Sequence, residues 1–324
     1  MSKEMRSDKK GLLWAEWAML GYTALTLVLM AVLWDRLVSP VDMLAGRAGA
    51  VLTTLALWGV YRRWPCRLTM FVRVAGLMAW LGWWYPDTYE LNRVLPNLDH
   101  LFASAEQWLF GCQPALVLPV RFPQPVVSEL LSLGYVSYYP LIVALVLVYF
   151  FRRYERFTYA VYVVMASFFI FYVVFDLLPV AGPQFYYEAV GCDLIAQGQF
   201  PDLGLYFRDH QESLPIPGWK DGLFYDLLVD AHNAGERPTA AFPSSHVGIT
   251  TVLLWLAWEV RSRWLLAVMA PLAVLMFFAT FYIQAHYAID AIAGLFAGTA
   301  FYFVLRHLYR AKRAKVFSEK HLAE

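Results

Sequence analysis

His246, His286 and Asp290 are the residues of this chain whose types and spacing best suit chemistry at phosphorus. His286 and Asp290 are four positions apart, which on a helix places both side chains on one face. A carboxylate so placed accepts from one ring nitrogen, fixes the tautomer and leaves the other nitrogen as a nucleophile. His246 closes the run Pro243-Ser244-Ser245-His246, which reads as a helix start. Free backbone N–H groups and the positive end of the dipole attract phosphoryl oxygens there, and the hydroxyls of Ser244 and Ser245 would help to cradle them. The same serines would also serve as an ordinary N-cap. Arg237, just ahead of Pro238, offers a planar fork of donors to the same oxygens. A single histidine near the end of an apolar run is usually interfacial. Asp290 carries more weight, because a carboxylate about a turn inside such a run is costly and therefore functional by default.

The elements that must position these groups are apolar. The 324 residues are 60% hydrophobic and only 16% charged, whereas a soluble domain has about 25% charged residues. The composition predicts an all-α, polytopic membrane protein. Apolar runs long enough to cross about 30 Å of hydrocarbon occur near 14–34, 44–61, 68–85, 127–150, 157–178, 241–260, 264–284 and 286–305, which predicts eight spans. Alternate linkers are basic: Lys3 to Lys10, Arg62/Arg63/Arg67, Arg152/Arg153/Arg156, Arg261/Arg263 and the tail from Arg306 to Lys315. The positive-inside rule puts these five segments and both termini in the cytoplasm. The site then lies on the opposite, periplasmic or lumenal, face. The first run has no small-residue cleavage site after it and is expected to be a retained span.

Two long segments fall on that outer face. Residues 86–126 carry Leu91, Val94, Leu95, Leu98, Leu101 and Phe102 at helical spacing, with Asp99, His100 and Glu106 between them. This predicts either an amphipathic helix on the membrane surface or a small helical cap over the bundle. Segment 179–240, punctuated by Pro and Gly, is long enough to fold over a site. Asp176 and Glu129 are expected among lipid head groups, and Arg93, Arg121, Arg208 and Lys220 on the surface. Cys112 and Cys192 share the outer face, so a disulfide between them is open, while the three cysteines make no zinc site. The domain organisation reads as a three-span region, 1–126, a catalytic membrane domain, 127–310, and a tail, 311–324.

At the site residues the sequence resembles the type 2 phosphatidic acid phosphatase superfamily, whose pattern is Lys-x6-Arg-Pro, then Pro-Ser-Gly-His, then Ser-Arg-x5-His-x3-Asp. The match is close over residues 237–290. The resemblance implies that His286 forms a phosphohistidine, that Asp290 orients it and that His246 protonates the leaving group. Asp230 stands where the family has its first Lys, and Ala279-Thr280 where it has Ser-Arg. Two clamping cations are therefore missing, which suits a singly charged phosphodiester better than a doubly charged monoester. Thr280-Phe281-Tyr282 followed by His286-Tyr287-x-x-Asp290, and Leu178 to Tyr186 upstream, look like the inositol phosphorylceramide synthase branch, the aureobasidin target. That resemblance implies transfer of phosphoinositol from a phospholipid donor to ceramide or a related lipid alcohol, with no metal, cofactor or nucleic-acid partner. A lipid phosphatase is the alternative enzyme. A lipid-binding or transport protein is the non-enzymatic one, although no paired broken helices mark the two halves.

Overall fold

A computed structural model of the chain describes residues 11–321, leaving aside the side chains of 234 and 313–321. All regular structure among the described residues is helical. Helix α1 (Trp14–Leu33) begins where the Glu16 carboxylate accepts the Leu13 N–H at 2.6 Å. Helix α2 (Pro40–Arg63) has Pro at its first turn and Arg62 and Arg63 in its last, matching the helix dipole at its C-terminal end. The run expected at 68–85 is divided at Trp80 into α3 (Arg67–Ala79) and α4 (Leu81–Asn92). Next come α5 (Asp99–Phe110), α6 (Pro114–Arg121), α7 (Pro125–Val136), α8 (Tyr138–Arg152) and α9 (Phe157–Leu177). Segment 179–240 holds α10 (Pro183–Val190), α11 (Cys192–Ala196) and α12 (Leu223–Gly235). The C-terminal hairpin is α13 (Ser245–Val260) and α14 (Arg263–Tyr282), followed by α15 (Ala288–His321).

Among the described residues, five helices are long and apolar enough to cross a membrane: Trp14–Arg36, Pro40–Arg63, Tyr154–Leu177, Arg263–Tyr282 and Ala288–Lys312. Helices α7 and α8 would make a sixth span, bent by 47°. The expected eight are not reproduced, for physical reasons. Helix α13 has only 16 residues, or about 24 Å of rise. Helices α3 and α4 are short and carry Arg73 and Asp87, whose partners reach them from α1 and α2. The Val, Leu and Phe side chains exposed on α1, α2, α14 and α15, among them Val28, Leu52, Val268 and Phe296, present an apolar surface that fits hydrocarbon. Helix α9, by contrast, is buried almost all round and forms the centre of the main core.

Several expectations are corrected by burial. Asp176 is not among head groups. It is 2% exposed at the end of α9 and accepts the Tyr22 hydroxyl at 3.0 Å. Glu129 caps α12 by accepting the Phe224 and Tyr225 N–H groups at 3.1 and 3.0 Å. Arg93 is largely buried in a pair with Glu90, whereas Arg121, Arg208 and Lys220 are exposed as expected. Cys112 and Cys192 are free thiols. Helix α5 turns its acids inward and leaves Leu101, Trp108 and Leu109 outward, so segment 86–126 caps the bundle with an apolar outer face.

Candidate functional site

Two loop-to-helix junctions build the site. The first is the start of α13, where Ser244 is the N-cap and its hydroxyl accepts the Val247 N–H at 3.4 Å. The second is the turn between α14 and α15, where Gln284 has φ +67 and the His286 N–H reaches back to the Thr280 carbonyl at 3.0 Å. The junctions are joined directly, since the Ser244 N–H donates to the Asp290 carbonyl at 3.0 Å. They meet because α13 and α15 cross at glycines. A Cβ on Gly294 would fall on the Ser244 carbonyl, and one on Gly298 on the Gly248 carbonyl. Gly294-x3-Gly298 is the small-residue spacing that lets membrane helices approach backbone to backbone.

His246 and His286 are brought into contact, with Nδ1 of His246 3.3 Å from Nε2 of His286. Nδ1 of His286 lies 2.7 Å from the Ala241 carbonyl. A carbonyl only accepts, so Nδ1 carries the hydrogen and Nε2 of the neutral ring keeps its lone pair. The His246 Nδ1–H is then the donor between the rings. Burial pushes the His286 imidazole down to about 4, against the opposing pull of the Ala241 bond and the Glu236 charge. The ring is therefore neutral near pH 7. Tyr135 and Tyr138 hold His246 between them, each with its ring centroid 4.5 Å away.

Asp290 does not take the ring hydrogen that the four-residue spacing suggests. Its Oδ2 is 3.8 Å from Nδ1 of His286 and accepts the Tyr287 N–H at 2.8 Å. Helix α15 starts at Ala288, so His286 precedes it and the rule for one helical face does not apply. The Ala241 carbonyl fixes the tautomer in its place. Both polar groups of Ser244 are engaged, whereas Ser245 lines a cavity with His246. Arg237 donates to the Glu236 carbonyl at 2.9 Å and has no carboxylate within ion-pair distance among the described residues. Thr280 is fully buried, with its hydroxyl on the Phe277 carbonyl at 2.9 Å, and Asp230 is exposed.

Three carboxylates around the site were not expected there from the sequence. Glu236 accepts the Tyr85 hydroxyl at 3.1 Å and lines, with Ser245, His246, Tyr138, Tyr139 and Tyr172, a cavity of about 380 Å³. Burial raises its carboxyl, while His286 and Arg237 pull it down. Asp99 accepts the Ala181 and Gly182 N–H groups at 2.6 and 2.8 Å and the Tyr287 hydroxyl at 2.9 Å. Glu106 accepts the Ile289 N–H at 3.1 Å, at the N-terminus of α15. Through these two acids α5 clamps the turn that carries His286. Helical spacing identified the apolar residues of α5 but gave no means of telling which face its acids would take. Glu236, beside the noted Arg237-Pro238, carried no separate signal. A family model described as the PAP2 superfamily matches residues 99–304, a stretch that contains His246, His286, Asp290, Arg237 and the three carboxylates. No curated protein and no solved structure matches the chain.

Proposed function

The chain belongs to the PAP2 superfamily, and within it we propose a membrane phosphotransferase that moves a head-group phosphoryl unit from a phospholipid donor to a lipid alcohol. In the reading that the sequence resemblance favours, the unit is phosphoinositol and the acceptor is ceramide or a close relative. The observation that carries the proposal is the His246–His286 pair with its tautomer set by the Ala241 carbonyl. Nε2 of His286 attacks phosphorus, and the bond from phosphorus to the glycerol oxygen breaks. The departing oxygen takes a proton from His246, which the bound phosphate anion helps to keep protonated. His246 then accepts the proton of the incoming hydroxyl, whose oxygen attacks phosphorus as the P–N bond breaks. The Ala241 carbonyl and the Asp290 carboxylate favour the positive charge that His286 carries in the intermediate. Arg237 and the Ser245 end of α13 are the groups proposed to hold non-bridging oxygens.

Transfer is favoured over hydrolysis by what surrounds His246. The Glu236 cavity reaches from His246 past Ile142 and Phe168 to Tyr139 and Val143, which are exposed on the apolar side of α8. It offers a lipid a lateral way to the histidines. A carboxylate in that cavity accepts from a hydroxyl and repels a second phosphate anion. Neither position 230 nor position 280 supplies a cation, which favours a diester over a dianionic monoester. The test is incubation of the purified protein with radiolabelled phosphatidylinositol, with and without ceramide. Labelled phosphoinositol should appear on ceramide, with little consumption in its absence. Rapid release of inorganic phosphate from phosphatidic acid, with no transfer to any alcohol, would make the enzyme a phosphatase.

A further inference from the structure

At the other end of α13 from His246, five arginines ring a second cavity of about 470 Å³. Arg153 follows α8, Arg156 closes the short turn after it, Arg261 ends α13, and Arg306 and Arg310 lie one turn apart on α15. At the floor, Glu259 accepts the Tyr159 and Tyr302 hydroxyls at 3.0 and 3.2 Å. It also pairs with Arg156 at 3.3 Å, Arg310 at 3.4 Å and Arg306 at 3.9 Å. A carboxylate has about four lone-pair sites, so five donors saturate it. Each guanidinium has five N–H donors, and most of these stay unspent. Arg153 and Arg261 have no carboxylate within ion-pair distance among the described residues. Among the described residues Glu155 is the only other acid in the lining, so five cations there face two anions and three positive charges are in excess.

Orientation of the chain in the membrane requires basic loops, but it does not require this arrangement. Arg62, Arg63 and Arg67 meet that need lying over the rings of Trp58, Trp64 and Tyr154. Here the cations converge from three segments around a void. Arg261 has φ +57, at a helix end where glycine is the usual occupant. Trp258, 68% exposed, lines the cavity. An indole ring of this kind marks the head-group level of a bilayer.

We propose that this cavity binds the phosphate of an anionic phospholipid head group in the leaflet opposite the histidine site. A bound head group ties the turn after α8 to the ends of α13 and α15, the two helices that carry His246 and Asp290. The test uses the full chain in neutral detergent, titrated with short-chain phosphatidic acid, phosphatidylcholine or inorganic phosphate and read by native mass spectrometry and thermal shift. Arg261→Gly removes one cation while placing at φ +57 the residue that suits it, so the fold is preserved. The expected result is an unliganded melting temperature equal to or above wild type, with affinity for phosphatidic acid lowered about tenfold, as for the loss of one charge-assisted contact. Arg153→Gln should do the same, and Arg121→Gln, an exposed cation of neither site, should not. Equal affinity in wild type, Arg261→Gly and Arg153→Gln would overturn the proposal. So would binding of phosphatidylcholine or inorganic phosphate as tight as that of phosphatidic acid.

Discussion

Replacing Glu106 by Gln should change how stability depends on pH. Glu106 is fully buried against the start of α15, and burial, with the nearby Asp290 charge adding to it, pushes its carboxyl up to about 8. An unfolded glutamate titrates near 4.3. Between those values the native protein holds a proton that the unfolded chain has released, so stability falls as pH rises through that window. The contribution is complete below about pH 4 and gone above about pH 8. Each pH unit between the unfolded and native values is worth about 1.4 kcal/mol, which sets a ceiling of roughly 5 kcal/mol. Relaxation around the charge brings the expected figure to about 2–3 kcal/mol. Glutamine keeps the acceptor for the Ile289 N–H and never ionises. Melting curves in detergent should therefore show the wild type losing several degrees between about pH 5 and 8, at roughly 2–4 °C per kcal/mol. The Glu106→Gln variant should lose distinctly less. Parallel curves for the two proteins would refute the assignment of a buried, uncharged Glu106.

Three further outcomes follow from packing and charge. Gly298→Ala drives a methyl group into the Gly248 carbonyl and should cost about 1–3 kcal/mol in melting experiments. Because it shifts α15 and hence Asp290 and the His286 turn, turnover should fall by about a hundredfold, and unchanged turnover would show that the crossing does not set the site. Asp87→Asn strips the bidentate partner, at 3.0 and 2.7 Å, from the buried Arg47 and should cost about 3–5 kcal/mol, whereas an Arg47→Met/Asp87→Leu double variant should unfold closer to wild type. In a background without Cys66, Cys112 and Cys192, Ser213→Cys should react with an impermeant thiol reagent on intact cells and Lys312→Cys should not; the reverse pattern would invert the orientation.

The legible part of the molecule was its C-terminal hairpin. Pro243 to His246 and His286 to Asp290 stand at the ends of apolar runs, so their convergence follows from helix order alone. Less legible was whatever depends on partners far along the chain. Asp176, at the end of an apolar run, looks like a head-group acid until Tyr22, 154 residues away, is placed against it. Asp99 and Glu106 look like the wet face of a surface helix until the turns at 181 and 287–289 arrive to take their oxygens. Eight apolar runs did not become eight long, unbroken apolar helices because hydropathy does not register Arg73 pairing with Glu16, or Pro86 and Asp87 inside α4. The geometry of His286 turned on two residues of register: the helix starts after it, at Ala288, so a main-chain carbonyl takes the ring hydrogen expected to go to Asp290. The Gly294-x3-Gly298 spacing was present in the sequence and would have indicated the crossing of α13 and α15.

The mechanism stands or falls on whether Nε2 of His286 carries the phosphoryl unit. The purified protein would be mixed with head-group-labelled phosphatidylinositol in the absence of acceptor, quenched in denaturant and digested. The expected result is an acid-labile, base-stable label on the peptide containing His286, lost in His286→Gln and discharged when ceramide is added before the quench. Transfer to ceramide at full rate with no label on the chain, or a label on a peptide that lacks His286, would rule out His286 as the carrier.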